Sequence, residues 1–189
     1  IINIDTKKKQ PSEYCIEANS YNLGRYAKIV QDYGMVPIVE PEVIMDGEHS
    51  IKDCFDVTSK TLKSVFKHLN NHKVYIEGIL LKPNMVISGT KNEKQASVGE
   101  VASMTIKCLK ENVPDNLPGI VFLSGGQSNE LATQHLNEMN KQNTDLPWKL
   151  SFSYGRALQQ PALSKWLGED RNIEPSQKAL FHRSKLNSD

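Results

Sequence analysis

Lys82 is the first residue whose setting suggests chemistry, because it ends the apolar run Gly78–Leu81. Side chains alternate along a strand, so Leu80 and Lys82 are expected on one face. An amine in apolar surroundings is more readily neutral, and a neutral amine attacks a carbonyl carbon to form a Schiff base. The alternative for a single lysine is a side chain that extends along the surface and places its charge in water.

Two carboxylates follow the preceding apolar run, in the order Glu40-Pro41-Glu42. If the strand continues through them, Glu40 and Glu42 share a face, and such a pair provides a general acid and a general base. A solvated pair in a loop is the alternative interpretation. A carbinolamine loses water only with a proton donor within hydrogen-bond reach. Carboxylates at one strand end and Lys82 at the next therefore favour imine formation.

Two later strand ends have the composition of anion-binding turns. Ser124-Gly125-Gly126 follows one apolar run, and glycine lets backbone N–H groups approach an anion closely. Gly155 and Arg156 follow the next run, and a guanidinium suits contact with two phosphate oxygens. Neither turn is a GxGxxG or P-loop pattern, which disfavours dinucleotides and nucleoside triphosphates. A simple turn and a surface ion pair are the alternatives, but all four strand ends together predict imine-forming catalysis on a phosphorylated carbonyl compound.

The elements that must position these groups alternate along the chain. Short apolar runs predict four buried strands: Met35–Val39, Val74–Leu81, Gly119–Leu123 and Leu150–Phe152. Apolar residues at helical spacing predict helices from Ser12 to Gly34 and over Ile51–Leu69, Ser97–Leu109, Gln127–Met139 and Pro175–Leu186. We interpret Ile1–Ile4 as the end of an earlier strand, and Trp166 and Leu167 as the last bulky anchors. This alternation predicts a parallel α/β sheet, in which ligands bind at the carboxyl ends of the strands.

Composition excludes several classes of partner. The 189 residues carry 23 Lys plus Arg against 22 Asp plus Glu, a net charge of +1, so neither nucleic acid nor an anionic membrane is expected to bind. No apolar run approaches the roughly 20 residues of a membrane span, and the first residues lack the order of a secretory signal, so we expect a cytoplasmic protein. The three cysteines are expected to be reduced thiols, and the five scattered histidines predict no metal site.

Four stretches resemble class I fructose-bisphosphate aldolase in order and spacing: Val36-Pro-Ile-Val-Glu-Pro-Glu42, Gly78-Ile-Leu-Leu-Lys-Pro-Asn-Met-Val86, Phe122-Leu-Ser-Gly-Gly-Gln-Ser128 and Phe152-Ser-Tyr-Gly-Arg-Ala-Leu-Gln159. The resemblance extends from about Pro11 to at least Trp166. It implies a (β/α)8 TIM barrel of the α/β class, usually a homotetramer. Such enzymes cleave fructose 1,6-bisphosphate to dihydroxyacetone phosphate and glyceraldehyde 3-phosphate, in glycolysis, without a metal or other cofactor. The motifs argue against transaldolase and deoxyribose-phosphate aldolase, which also form Schiff bases.

The resemblance also implies a role for each matching residue. Lys82 matches the Schiff-base lysine, Glu40 the carboxylate that gives and takes protons during imine formation, and Glu42 the neighbour that orients the lysine. The matches to the positions that bind the substrate phosphates are Ser124, Gly125, Gly155 and Arg156. The alternative function is non-catalytic: the scaffold would bind actin, a cytoskeletal adaptor or another cytosolic partner.

The resemblance implies more strands than the chain supplies. Four clear strands and a fragment at Ile1–Ile4 correspond to the last four to five strand–helix units of the barrel. The family's catalytic aspartate, two lysines and an arginine would lie upstream of Ile1, and its C-terminal tail ending in tyrosine would lie beyond Asp189. We therefore expect residues 1–189 to form a single domain that is the second half of a barrel. Such a half, on its own, is expected to cleave the substrate poorly.

Overall fold

The computed structural model describes residues 1–142 and 145–188, over which helices and strands alternate. The elements are α1 (Glu13–Asp32), β1 (Ile38–Val39), α2 (Ile51–Asn71), β2 (Leu80–Leu81), α3 (Val98–Asn112), β3 (Gly119–Phe122), α4 (Asn129–Gln142), β4 (Lys149–Phe152), α5 (Arg156–Trp166) and α6 (Ile173–Ser188). Short 3-10 helices cover Ile76–Gly78 and Asp170–Asn172. All four strands are parallel and lie in the order β1-β2-β3-β4, which confirms the α/β class.

The two faces of the sheet differ in burial. The register places Val39 beside Leu81 and Leu81 beside Ile120, and these three side chains are completely buried in the main core. The alternate residue Ile38, on the opposite face, is 41% exposed. Because side chains alternate along a strand, the residue that follows Val39 belongs to the open face. This open face carries the candidate chemistry.

Serine caps begin the three long helices that flank β1 and β2. The hydroxyl oxygens of Ser12, Ser50 and Ser97 each accept a hydrogen bond from the backbone N–H three residues later. At α2 the cap is reciprocal, because the Asp53 carboxylate accepts a hydrogen bond from the Ser50 backbone N–H at 2.9 Å. These polar starts, together with the apolar spacing that follows them, explain why the three helices were predictable.

The first two strands are shorter than predicted. Only Ile38–Val39 of the run Met35–Val39 pairs with a neighbour, and Met35 is 58% exposed. Residues Ile76–Gly78 of the run Val74–Leu81 form a 3-10 helix, so extended pairing begins only at Leu80. The strands were predicted from apolar composition. The first residue of a strand is instead determined by where its backbone begins to form hydrogen bonds with the neighbouring strand.

Helix α5 was not predicted, because Pro161 lies in its interior. Proline has no N–H to donate to the carbonyl four residues earlier, which here belongs to Ala157. Arg183 of α6 supplies the missing donor, since its Nε donates to the Ala157 oxygen at 3.2 Å. Its Nη2 also donates to the Asn129 carbonyl oxygen at 2.6 Å, so this buried arginine joins α4, α5 and α6.

Arg183, and not Trp166 or Leu167, anchors the C-terminal region. The side chains of Trp166 and Leu167 are 43% and 72% exposed, so the prediction that they are the last bulky anchors is wrong. Leu167 adopts a left-handed conformation with φ of 56° and ends α5. A helix was predicted over Pro175–Leu186, and α6 extends it by two residues at each end.

Ile1–Ile4 lies beyond the carboxyl end of β1. Ile2 forms a parallel bridge with Val43, and its N–H donates to the Glu42 carbonyl oxygen at 2.8 Å. Cys15, Cys54 and Cys108 are free thiols, of which Cys54 and Cys108 are buried. Burial raises the pKa of the Cys108 thiol to about 11. Over the described part of the chain, no helix combines the length and the apolar character needed to cross a membrane.

Candidate active site

Lys82 and Glu40 form an ion pair at the carboxyl ends of β1 and β2. Because Val39 is in register with Leu81, the residues that follow them lie side by side on the open face. The Lys82 backbone N–H donates to the Val39 carbonyl oxygen at 2.7 Å, which continues the pairing for one more residue. The Lys82 Nζ lies 3.1 Å from Glu40 Oε1, and the two side chains are 20% and 43% exposed. An amine and a proton-transfer group are thus within hydrogen-bond reach.

Glu42 follows Glu40 after a tight turn at Pro41. The Glu42 N–H donates to the Glu40 carbonyl oxygen at 3.2 Å, which marks a tight turn around Pro41 rather than a continuing strand. β1 ends at Val39, but the alternation of burial continues beyond it, because Pro41 and Val43 are buried whereas Glu40 and Glu42 are not. This pattern agrees with the prediction that Glu40 and Glu42 share a face. The ionic partner of Glu40 is Lys82.

Asn84 fixes the loop that follows β1 against the loop that follows β2. Its Oδ1 accepts a hydrogen bond from the Val43 N–H at 3.0 Å, and its Nδ2 donates to Thr58 Oγ1 at 3.1 Å. The same nitrogen donates to the Met85 carbonyl oxygen at 3.0 Å. The side chain is almost completely buried. Sequence reasoning missed this residue, although a polar side chain within the otherwise apolar segment 83–87 was a usable signal.

The predicted anion-binding turns meet on one side of the site. Gly125 and Gly126 have φ of 61° and 83°, in the left-handed region that glycine adopts without strain. A Cβ on Gly126 would lie 3.5 Å from Arg156 Nη2 and 3.5 Å from Met45 Sδ. The turn after β3 therefore lies against the Arg156 guanidinium and against the segment that follows Glu42. Arg156 is exposed and begins α5, with Gly155 at the N-cap.

The strand order determines how these groups relate to one another. Glu40 and Lys82 follow β1 and β2, Ser124 and Gly125 follow β3, and Arg156 follows β4, so all of them lie at one edge of the sheet. This arrangement offers a nucleophilic amine, a carboxylate and a cationic turn for a ligand phosphate. Residues 1–142 and 145–188 contain no group of three or more His, Cys, Asp and Glu side chains that could hold a metal ion.

Comparison with known proteins gives one consistent family. A family model described as fructose-bisphosphate aldolase class-I matches residues 1–189. The probable fructose-bisphosphate aldolase class 1 of Xanthomonas axonopodis pv. citri is 55% identical over 178 residues, covering 94% of this chain and 53% of that protein. Fructose-bisphosphate aldolase 6, cytosolic, of Arabidopsis thaliana is 49% identical over 180 residues, covering 95% of this chain and 50% of that protein.

A solved structure has the same fold over nearly the whole chain. The fructose-bisphosphate aldolase of Plasmodium falciparum, crystallised in ternary complex with TRAP and a small-molecule inhibitor, matches with a TM-score of 0.96 and 45% sequence identity. The match covers 99% of this chain and 54% of that chain. The chain thus spans about half the length of the relatives it matches, and its four parallel strands agree with part of a TIM barrel.

Proposed function

Because the chain belongs to the class-I fructose-bisphosphate aldolase family, we propose that it supplies the imine-forming half of such an enzyme's active site. The observation that carries this proposal is the 3.1 Å contact between Lys82 Nζ and Glu40 Oε1 at the carboxyl edge of the sheet. The whole enzyme would cleave fructose 1,6-bisphosphate reversibly to dihydroxyacetone phosphate and glyceraldehyde 3-phosphate.

Each residue has a distinct task in this mechanism. Glu40 accepts a proton from the Lys82 ammonium group, and the resulting neutral amine attacks the ketone carbon of the substrate to form a carbinolamine. Glu40 then gives a proton to the departing hydroxyl group, so that water leaves and an iminium ion remains. The iminium carbon accepts the electron pair released when the adjacent carbon–carbon bond breaks. Glu42, which lies across the Pro41 turn from Glu40, orients the amine.

The turn after β3 and the start of α5 hold the substrate phosphate. Ser124, Gly125 and Gly155 would contribute hydrogen-bond donors, and Arg156 would contribute a forked guanidinium beside Gly126. Phosphate binding fixes the position of the ketone carbon relative to Lys82. The attack of the amine on this carbon then becomes an effectively unimolecular step.

We also propose the cellular setting that the family implies. A glycolytic role and a cytoplasmic location agree with the name of the Arabidopsis relative, which includes the word cytosolic. Residues 1–189 would form one domain, the second half of a barrel, within a homotetramer. Sedimentation of the purified protein tests that assembly. Actin binding stays a prediction from the resemblance; co-sedimentation with actin that persists in Lys82→Ala would support it.

Borohydride trapping tests the proposal directly. The 189-residue chain is incubated with dihydroxyacetone phosphate, treated with sodium borohydride, and examined by intact-mass and peptide mass spectrometry. We expect one adduct on Lys82, with the mass of dihydroxyacetone phosphate less one oxygen atom, because water leaves on imine formation and reduction adds two hydrogens. Imine formation needs only the amine and its proton donor, so the test does not require carbon–carbon cleavage.

Two lysine variants provide the matched control. Lys82→Arg keeps the positive charge but lacks the nucleophilic amine, so the adduct should disappear. Lys149→Arg makes the same change at an exposed lysine. Lys149 begins β4 and therefore lies at the amino ends of the strands, away from the site, so the adduct should be unchanged. An adduct spread over surface lysines, or one retained in Lys82→Arg, would contradict the proposed function.

A further inference from the structure

We propose that His135 and Gln127 form a positioning pair that sets the shape of the Ser124–Gly126 turn and thereby its affinity for a phosphate group. This inference rests on the proposed function, because it concerns the phosphate-binding part of the same site. Neither residue is itself assigned contact with substrate. The pair would act through the carbonyl group of Ser124.

The pair is a buried chain of hydrogen bonds that ends at the turn. His135 Nδ1 of α4 lies 2.6 Å from Gln127 Oε1, and Gln127 Nε2 donates to the Ser124 carbonyl oxygen at 2.9 Å. Gln127 Nε2 also lies 3.6 Å from Met85 Sδ. The three polar residues are each less than a tenth exposed. A buried amide in this position has no water to replace a lost partner.

The partners fix both the amide orientation and the histidine tautomer. Neither a carbonyl oxygen nor a thioether sulfur can donate, so the Gln127 NH2 group faces Ser124 and Met85. Gln127 Oε1 therefore faces His135, and Nδ1 of the imidazole must carry the hydrogen. His135 Nε2 is then a lone-pair nitrogen, and within residues 1–142 and 145–188 it is buried without a hydrogen-bond partner. Within those residues, the imidazole makes its side-chain hydrogen bond to Gln127.

The bond to Ser124 determines where the turn presents its N–H groups. The Ser124 carbonyl oxygen accepts from the Gln127 backbone N–H at 3.1 Å as well as from the Gln127 side chain. Two donors hold this carbonyl towards the core. A trans peptide unit is planar, with its N–H opposite its C=O, so the Gly125 N–H points away from the core. The next residue, Gly126, lies against the Arg156 guanidinium.

Phosphate binding should therefore depend on a histidine that does not touch the ligand. His135→Leu removes the donor to Gln127 and leaves a buried amide oxygen unpaired, so the Gln127 side chain loses its fixed orientation. His135→Asn retains an N–H group on a shorter side chain and should rescue most of the effect. Gln127→Leu should weaken binding as much as His135→Leu does. The double variant should be no weaker than either single one, because both substitutions break one chain of bonds.

The experiment compares ligands with and without a phosphate group. Amide NMR of the 189-residue chain is followed as inorganic phosphate, and separately dihydroxyacetone phosphate, is added. The wild-type chain should show saturable shifts at Gly125 and Gly126, and His135→Leu should raise both dissociation constants about tenfold. The borohydride trapping rate with dihydroxyacetone, which has no phosphate, should stay unchanged, and a merely unfolded or distorted variant would not show this split.

Each outcome decides one of the two claims. Unchanged phosphate affinity in both His135→Leu and Gln127→Leu would overturn the positioning role, as would equal losses for dihydroxyacetone and its phosphate. A wild-type chain without phosphate-induced shifts at Gly125 and Gly126 would overturn it as well. Phosphate shifts that respond to His135, without any adduct on Lys82, would support the positioning pair and contradict the proposed function.

Discussion

Replacing Asn84 with alanine removes three hydrogen bonds from the junction between the loops that carry Glu40 and Lys82. The lost contacts are those with the Val43 N–H, Thr58 Oγ1 and the Met85 carbonyl oxygen, at 3.0, 3.1 and 3.0 Å. A buried backbone N–H without a partner costs about 1–3 kcal/mol, and each remaining bond contributes about 1 kcal/mol or less. We therefore expect Asn84→Ala to lower the free energy of unfolding by about 3 kcal/mol.

Urea unfolding of the 189-residue chain measures this change, with the fluorescence of the buried Trp148 as the signal. Asn116→Ala is the matched control, because the Asn116 amide donates to Glu77 Oε1 at an exposed site. That substitution should cost less than about 0.5 kcal/mol. Asn84→Asp keeps an oxygen for the Val43 N–H but buries a carboxylate beside the Met85 carbonyl oxygen, so its loss should be at least as large as that of Asn84→Ala.

The same substitution should slow imine formation. Asn84 holds the segment after Glu42 against the segment after Lys82, so its loss loosens the Glu40–Lys82 pair. Borohydride trapping of Asn84→Ala should be slower than trapping of Asn116→Ala under conditions where both are folded. A stability loss below about 1 kcal/mol would show that the junction does not depend on these bonds, and the argument would fail.

Two further predictions concern α4 and its neighbours. Burial lowers the pKa of His135 from 6.5 to about 4, so between these values the unfolded chain binds a proton that the folded chain does not. As the pH goes from 7 to 4, the free energy of unfolding should therefore fall by about 2–3 kcal/mol more in the wild type than in His135→Asn. Urea titrations at several pH values measure this difference. The same pH dependence of stability in both proteins would contradict the prediction. Arg183→Met keeps much of the side-chain volume but loses the bonds to Ala157 and Asn129, and should cost about 2–4 kcal/mol. The control, Arg171→Met at an exposed position, should change the urea midpoint little, and a similar effect of both would contradict the role of Arg183.

The sequence was sufficient where local rules decide the structure. Helices α1, α2 and α3 followed from apolar residues at helical spacing, and the hydroxyl groups of Ser12, Ser50 and Ser97 cap their first turns. The Lys82 and Glu40 positions followed from strand ends, because parallel neighbours bring their carboxyl ends to one edge. The end of β1 at Val39 did not follow, although the predicted alternation continues in the burial of Pro41 and Val43 beside the less buried Glu40 and Glu42.

Contacts between distant segments could not be predicted from the same rules. The bond between Gln127 and His135 depends on how the turn after β3 folds back onto α4, and nothing in local spacing specifies that fold. Helix α5 was missed for a similar reason: Pro161 cannot donate to the Ala157 carbonyl, and the donor that replaces it, Arg183, lies 26 residues after Ala157. The role of Asn84 likewise depends on its hydrogen bond with the Val43 N–H, and the sequence does not show that these two residues are neighbours.

The compensation at Pro161 also imposes an order on folding during synthesis. The Ala157 carbonyl leaves the ribosome 26 residues before the guanidinium that donates to it. Until α6 has emerged, the Ala157 carbonyl of α5 lacks its donor, and the first turn of α4 lacks the arginine that joins it to its neighbours. The α4–α6 corner therefore cannot complete these hydrogen bonds until Arg183 has been synthesised. If translation paused between Trp166 and Arg183, helices α4 and α5 would remain incompletely packed and accessible to chaperones.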